Sequence, residues 1–173
     1  MTTKYQIIRP AVAADAEALA ACIDAAYARY AGHISDLPSV SDGCAEDIAN
    51  NQVWVAAEDD TIIAGLVLVA GDEFMKLANL AAHPDHGGKG LGRRLIELSE
   101  REAERRGFSE MRLNTHVDMP ENVRLYQRMG WAEVSRRGNT VSMKKRLQTG
   151  TNMQAAGTTT QTSNSMQKRL SHP

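Results

Sequence analysis

The sequence predicts an α/β fold in which one mixed, mostly antiparallel β-sheet carries helices on both faces. A nearly continuous apolar run, IIAGLVLVA (62–70), is typical of a strand covered on both sides. Turn signals at 58–60 and 138–139 each separate two strand-like segments and therefore indicate hairpins. Two amphipathic segments lie between other predicted strands, as crossover helices do.

The first half of the chain is predicted to contain a strand, a helix and a three-stranded meander. The first strand (4–9) ends at Pro10, and an apolar stripe at helical spacing predicts a helix from Asp15 to a stop at Gly32. A loop rich in Gly, Ser, Pro and Asp precedes a short helix. The expected ranges are 32–43 for this loop, 45–50 for the short helix, and 52–57, 61–70 and 74–82 for the three strands.

The second half begins with the clearest helix of the chain. This helix is predicted from Gly90 or Leu91 to Arg106, ending at Gly107, with a buried stripe of Leu91, Leu95 and Leu98 and exposed pairs Glu97–Arg101 and Glu102–Arg106. A strand (110–115), a helix that starts at Pro120 and stops at Gly130, and a closing hairpin of strands 131–137 and 140–146 follow.

Composition limits the function classes. The chain has 173 residues and a formal net charge of −1, so no broad basic field favours nucleic acid as a partner. The longest apolar run (62–70) is too short to span a bilayer, so no membrane partner is expected, and no secretion signal is visible. Cys22 and Cys44 lack metal-binding spacing and are interpreted as free thiols of a cytoplasmic protein.

The distribution of polar residues predicts one domain followed by a tail. Residues 1–147 have the patterning of a single packed domain, whereas 148–173 are rich in Thr, Ser, Gln and Asn and contain few large apolar residues. Such a segment buries too little surface to offset its ordering entropy, which predicts a flexible C-terminal tail.

A glycine-rich loop, GGKGLG (87–92), stands between a predicted strand and the helix that follows. Glycines allow close backbone approach, and the start of a helix offers unpaired N–H groups, so the loop predicts a site for phosphate oxygens. A Walker loop is excluded because Gly90, not Ser or Thr, follows Lys89. A dinucleotide fingerprint fails because Arg93 stands where its last glycine belongs, and kinase motifs are missing.

Two segments resemble the signatures of the GCN5-related N-acetyltransferase (GNAT) family. The segment NLAAHPDHGGKGLGRRLIELSE (79–100) is similar to the family's coenzyme-binding strand, loop and helix, and ENVRLYQRMGW (121–131) is similar to its second block. The resemblance extends over roughly 4–147. It implies the acyl-CoA N-acyltransferase fold, with strands splayed at the coenzyme site, and acetyl-CoA as the cofactor.

The resemblance also implies the residues that hold the coenzyme. The strand that ends at Ala82 is expected to carry a bulge over 80–82, to splay from the strand 110–115, and to bind the pantetheine arm through the main chain of Leu80 and Ala82. Gly87 departs from the family, which has Arg or Gln there. The full expected set is Leu80, Ala81, Ala82, Gly87, Gly88, Lys89, Gly90, Leu91, Gly92, Arg93, Asn122 and Tyr126.

The resemblance implies catalytic roles for two of these residues. The backbone N–H of Ala82 would polarise the thioester carbonyl, and Tyr126 would give a proton to the departing thiolate. The general base stays open, because Lys76 stands where a carboxylate is often found. Glu73 acting through a water, His83, His116 and a water chain are the candidates, with the water chain as the default.

The acceptor pocket is expected between the end of the first long helix and the strand 110–115. The resemblance implies Tyr27, Tyr30, His33 and Asp36 on one side of this pocket, and Thr115 and His116 on the other. The predicted function is transfer of an acetyl group to a primary amine of a small molecule or peptide, by a monomer or homodimer. An acyl-CoA sensor with little turnover, and a nucleotide-binding protein, are the alternatives.

Overall fold

The computed structural model describes residues 4–36 and 41–148. The helices are α1 (Ala16–Tyr27), α2 (Cys44–Asn50), α3 (Leu91–Arg105) and α4 (Pro120–Arg128), with short 3₁₀ turns over 13–15, 28–30 and 84–86. The strands are β1 (Gln6–Pro10), β2 (Gln52–Glu58), β3 (Thr61–Ala70), β4 (Met75–Ala82), β5 (Glu110–His116), β6 (Ala132–Arg137) and β7 (Thr140–Arg146). The predicted tail lies almost entirely outside the described residues.

The strands form one seven-stranded sheet in the order β1-β2-β3-β4-β5-β7-β6. Every neighbouring pair is antiparallel except β4 and β5, which run parallel because α3 connects them as a crossover. The mixed, mostly antiparallel sheet that the hairpin signals and crossover helices predict is therefore confirmed.

Helices cover both faces of this sheet. On one face, Leu19, Cys22 and Ile23 of α1 and Cys44 of α2 pack in one apolar cluster with β2 and β3. On the other face, α3 and α4 contribute to a larger cluster that includes Leu91, Leu95, Ile96, Val123 and Tyr126. Strand β3 is buried along nearly its whole length, as its continuous apolar run predicts.

Several local expectations need correction. β1 begins at Gln6, two residues later than expected, and Pro10 is its last residue, which an edge strand tolerates because one side of its backbone is unpaired. Glu97 pairs with Arg93, not with Arg101. Glu102 pairs with Arg106 as expected, but its side chain is buried and also binds Arg105.

Close packing between α1 and β3 depends on a glycine. A Cβ atom on Gly65 would overlap Cδ1 of Leu19, which is fully buried. The missing side chain therefore lets α1 lie directly against the centre of the sheet.

We expect Gly65→Ala to lower the free energy of unfolding by about 1–3 kcal/mol, because the added methyl group overpacks the core against Leu19. Chemical denaturation followed by circular dichroism measures this loss. The matched control is Gly32→Ala, where no heavy atom lies within 4 Å of an added Cβ and where we expect a change below about 0.5 kcal/mol. Equal stability of Gly65→Ala and the wild type would contradict this packing.

Candidate active site

A gap opens between β4 and β5 along most of their length. Only two residue pairs, Met75 with Met111 and Lys76 with Arg112, join these strands. Beyond these pairs the strands separate, because β4 continues along β3 while β5 continues along β7. The splayed strands implied by the family resemblance are present, and the gap widens toward Ala82 and His116.

The bulge in β4 lies earlier than expected. The register between β3 and β4 shifts between Val67 and Leu68, which leaves Ala78 without a partner. The expected position over 80–82 is therefore wrong. The extra residue reverses the alternation of side chains, so that Leu80 and Ala82 pack on the α3 side while Ala81 packs on the α1 side.

The exposed edge of β4 presents two backbone N–H groups to the gap. His83 N–H donates to the carbonyl of Ile63 on β3 at 2.8 Å. Successive amides of a strand point in opposite directions, so Ala81 also faces β3, and Leu80 and Ala82 face the gap. In the described part of the chain, β5 provides no paired residue opposite either of them. These donors are free for a ligand that lies along the strand edge.

The glycine-rich loop ends at the N-terminus of α3, which carries no side-chain cap and no acidic residue in its first turn. Gly88 and Gly90 have φ values of 77° and 71°, a conformation that strongly favours glycine. No heavy atom lies within 4 Å of a Cβ built on either residue. The open space and unpaired helix amides form a cradle suited to phosphate oxygens.

Gly87 differs from these two glycines. Its φ is −63°, and an added Cβ would meet only the carbonyl oxygen of Pro84, at 3.4 Å. The backbone therefore does not require glycine at this position, and the missing Arg or Gln is a difference in side-chain chemistry alone.

The cationic side chains around the loop already have partners. Lys89 Nζ lies 3.3 Å from Oε2 of the buried Glu58 at the end of β2, and Arg94 donates to Gln6 at 2.6 Å. Arg93 pairs with Glu97. These contacts connect the loop with β1 and β2 at the far edge of the sheet. The backbone N–H groups of the loop, more than its cationic side chains, are therefore available to an anion in the cradle.

Tyr126 lies in α4 and is buried, with its ring centroid 5.6 Å from that of Trp131. Burial, with a smaller contribution from the nearby Tyr27, raises the pKa of Tyr126 above its ordinary value. Tyr27 belongs to the α1 side of the sheet and Tyr126 to the α3 side, so they interact across the sheet. Tyr126 therefore keeps its hydroxyl proton at neutral pH.

Asn122 lies one turn before Tyr126 on α4. Its side-chain amide is 3.5 Å from the sulfur of Met119, within the first turn of the helix. The Asn122 side chain therefore has a partner within its own helix turn. Its expected contact with the coenzyme stays a prediction.

Two polar contacts connect the end of α1 with the start of α4 and the end of β5. The Tyr30 hydroxyl donates to Glu121, and burial followed by this hydrogen bond raises the pKa of Tyr30 to about 12. Asp36 accepts from Asn139 at 2.6 Å and lies 3.0 Å from His116 Nε2. The hydrogen bond from Asn139, followed by that from His116, lowers the pKa of Asp36.

Two of the predicted acceptor residues, Asp36 and His116, meet at the end of β5, next to Thr115. Tyr30 instead contacts Glu121 at the start of α4, and its ring centroid lies 6.3 Å from that of Tyr27. His33 is exposed, and its backbone N–H donates to the carbonyl of Tyr30. The side chain of His33 has no hydrogen bond or ion pair within the described ranges.

The candidate general bases differ in their position relative to the gap and in their hydrogen-bond partners. Glu73 lies in the turn before β4, at the opposite end of the strand from Ala82, so the two are more than about 20 Å apart. Placement therefore argues against Glu73 as a base that acts through one water. His83 Nδ1 accepts the N–H of Asp85, which caps the turn after β4. Both nitrogens of His116 are occupied, by Asp36 and by the N–H of Asp118.

Three residues that organise the site were not found from the sequence: Glu58, Glu121 and Asn139. Each pairs with a predicted site residue that lies far away along the chain. No local motif marks such pairs, and only the register of the sheet brings them together.

A family model for the acetyltransferase (GNAT) family matches residues 19–131, which is well over half of the chain and includes the loop, the β4–β5 gap and Tyr126. The chain belongs to the GNAT acetyltransferase family. The resemblance noted in the two signature segments is thereby confirmed.

Solved GNAT structures share this fold at low sequence identity. The PaiA N-acetyltransferase from Thermoplasma acidophilum, crystallised with coenzyme A, is 20% identical with a TM-score of 0.74, covering 82% of this chain and 99% of its own. The Escherichia coli ribosomal-protein-S18-alanine N-acetyltransferase is 21% identical with a TM-score of 0.71, covering 86% and 98%. The acetyltransferase yncA from Salmonella typhimurium, solved with acetyl-CoA, is 20% identical with a TM-score of 0.65, covering 84% and 96%.

No curated protein sequence shows significant similarity to the chain. Within residues 4–36 and 41–148, no helix is long and apolar enough to cross a membrane. The same residues contain no group of three or more His, Cys, Asp or Glu placed to hold a metal ion.

Proposed function

We propose that this GNAT protein is an acetyl-CoA-dependent enzyme that moves an acetyl group directly to a primary amine of a small molecule or peptide. The observation that carries the proposal is the meeting of two sets of unpaired backbone donors. The free edge of β4 at Leu80 and Ala82 leads directly into the uncapped N-terminus of α3. A ligand with amide groups at one end and phosphates at the other fits both.

The residues present fit coenzyme A. The main chain of 80–82 would bind the amides of the pantetheine arm, and the loop 87–90 with the first turn of α3 (91–93) would hold the pyrophosphate. Because Lys89 is paired with Glu58 and Gly87 offers no side chain, backbone N–H groups supply most of this anion binding. Asn122 would contact the arm from the start of α4.

The coenzyme supplies an activated acetyl thioester, and the chain supplies a donor for each charge that develops. The backbone N–H of Ala82 would stabilise negative charge on the carbonyl oxygen. Tyr126, which burial keeps protonated, would donate its hydroxyl proton to the sulfur as the bond to the acetyl group breaks.

The amine must lose a proton before it reacts, and no carboxylate lines the gap at the place of Lys76. Ordered water that passes the proton toward backbone carbonyls is therefore our proposed base. The acceptor would enter between Tyr27, Tyr30, His33 and Asp36 on the α1 side and Thr115 and His116 on β5.

A second candidate function is an acyl-CoA sensor with the same fold and little turnover. Two observations favour it: Gly87 where a capping side chain is usual, and Lys76 where a carboxylate is often found. Both functions predict coenzyme binding, so the decisive difference is turnover and its dependence on Tyr126.

For the enzyme, we expect Tyr126→Phe to lower kcat about 100-fold or more between roughly pH 7 and pH 9, because the proton donor to the sulfur is lost. The affinity for acetyl-CoA, measured by isothermal titration calorimetry, should change less than about threefold. Release of free thiol with a panel of amines and peptides measures the rate.

Tyr5→Phe is the matched control, because Tyr5 is 71% exposed and lies before β1. Its kcat should equal that of the wild type. Coenzyme binding without thiol release from any amine would favour the sensor, and full activity of Tyr126→Phe would contradict the proposed proton donor.

We expect Gly90→Val to weaken binding of acetyl-CoA on the order of 100-fold or more, because the side chain would occupy the open cradle at a left-handed backbone position. Gly107→Val is the matched control, since Gly107 also has a left-handed backbone with open space around an added Cβ but lies beyond the other end of α3. Titration calorimetry, with circular dichroism to confirm folding, compares the two. Normal binding by folded Gly90→Val would show that the phosphates lie elsewhere.

A further inference from the structure

A groove of about 410 Å³ lies on the outer face of β4, β5, β7 and β6. Alternation along these strands sends Met111, Leu113 and Val141 into the core beneath α3 and α4, so their neighbours face the other way. Helix α1 packs on β3 and β4, and no described helix covers β5 and β7 on this side. The volume matches a small-molecule or short-peptide site.

The groove is strongly cationic. Lys76, Arg112 and Lys144 line it, and none of the described lining residues is acidic. Glu110 lies beside it, with Oε2 3.0 Å from Arg112 Nη2 and Oε1 3.8 Å from Lys144 Nζ, so it offsets part of this charge. The Lys76 amine is exposed and has no hydrogen bond or ion pair among the residues that the structure describes.

Some of these groups are held in place before any ligand arrives. The Arg112 guanidinium carbon lies 4.2 Å from the ring centroid of Phe74, and this stacking with the Glu110 contact fixes the planar fork. Ser142 donates to Asn114 Oδ1 at 2.9 Å, which turns the amide N–H₂ of Asn114 into an available donor. A fixed guanidinium next to two amines and an amide suits an oxyanion.

The groove lies on the same face of β5 as the proposed acceptor entrance. Arg112, Asn114 and His116 alternate along β5 and therefore share one face. His116 contacts Asp36 at the open end of the gap, whereas Arg112 pairs with Lys76 at its closed end. Roughly 13 Å of strand separates the two positions. A bound molecule can thus place its amine near the gap and a negative group among the cations.

We infer that this groove binds an oxyanion group of the amine acceptor, so that the enzyme prefers acidic acceptors of about tripeptide length. The inference rests on the acetyltransferase function proposed above and specifies its acceptor. Lys76, instead of acting as a base, attracts the acceptor's negative charge. The chain's own segment 149–173 is a poor occupant, because it contains no acidic residue and carries Lys168 and Arg169.

The test compares acceptor peptides that differ only in charge. Gly-Ala-Glu with free carboxylates, the amidated peptide Gly-Ala-Gln, and amidated Gly-Ala-phosphoserine would be assayed with acetyl-CoA. An extended tripeptide spans about 10 Å, which suits the distance along β5. We expect kcat/KM to be about tenfold higher for the acidic peptides than for the neutral one, mainly through KM. The phosphoserine peptide distinguishes carboxylate from phosphate recognition.

Two variants make the same charge change on opposite faces of the sheet. Lys144→Glu should remove the preference for Gly-Ala-Glu and leave kcat/KM for the neutral peptide within about twofold. Arg101→Glu, on an exposed position of α3, should leave all three peptides unchanged. High salt should reduce the preference, because the groove is open to solvent.

Equal kcat/KM for acidic and neutral peptides, or an equal loss for both in Lys144→Glu, would overturn the inference. Loss of a dimer in Lys144→Glu, seen by light scattering and without any charge preference, would show instead that the face joins two copies. If none of these peptides is acetylated, thiol release with the wider amine panel decides the proposed function, and calorimetry of the peptides in the presence of coenzyme A tests the groove separately. Binding of the acidic peptides alone would support it, and absence of binding would overturn it.

Discussion

The separation of β4 from β5 is the constraint on which the rest of the site depends. Only two pairs join the strands, and the unpaired Ala78 then reverses the alternation of β4. Backbone donors inside a sheet normally have a partner, yet the half-buried Leu80 and Ala82 face a gap that β5 does not fill. The sheet therefore keeps its order through β3 and β7 while leaving one internal strand edge open for a ligand.

The helices on the two faces of the sheet bring different parts of the site to the gap. On one side, α3 brings its uncapped N-terminus to the end of β4, and α4 brings the buried Tyr126. On the other, Gly65 lets α1 lie close to β3, and the Tyr30–Glu121 and Asp36–His116 contacts hold the end of α1 near β5. Coenzyme and acceptor would thus approach from opposite faces and meet where the strands part.

Local chemistry made much of this predictable from the sequence. Alternation and helical spacing identified every strand and long helix, and two signature segments identified the family, because those features are encoded within short stretches. The bulge at Ala78 was misplaced, since an unpaired residue depends on the register with β3. The sequence does not reveal Glu58, Glu121, Asn139 or the cationic groove, because each depends on contacts between residues distant in the chain. Glu73 is close to Lys76 in the sequence, but the sequence does not show which end of β4 faces the gap.

Backbone amide hydrogen exchange tests most directly whether the coenzyme binds along the free edge of β4. On saturation with coenzyme A, the amides of Leu80 and Ala82 should exchange more slowly. The amide of Ala81, which already faces β3, is an internal reference and should change little. Protection of Leu80 and Ala82 alone is the predicted result. Unchanged exchange at both, or equal slowing at all three, would contradict a coenzyme bound along this strand edge.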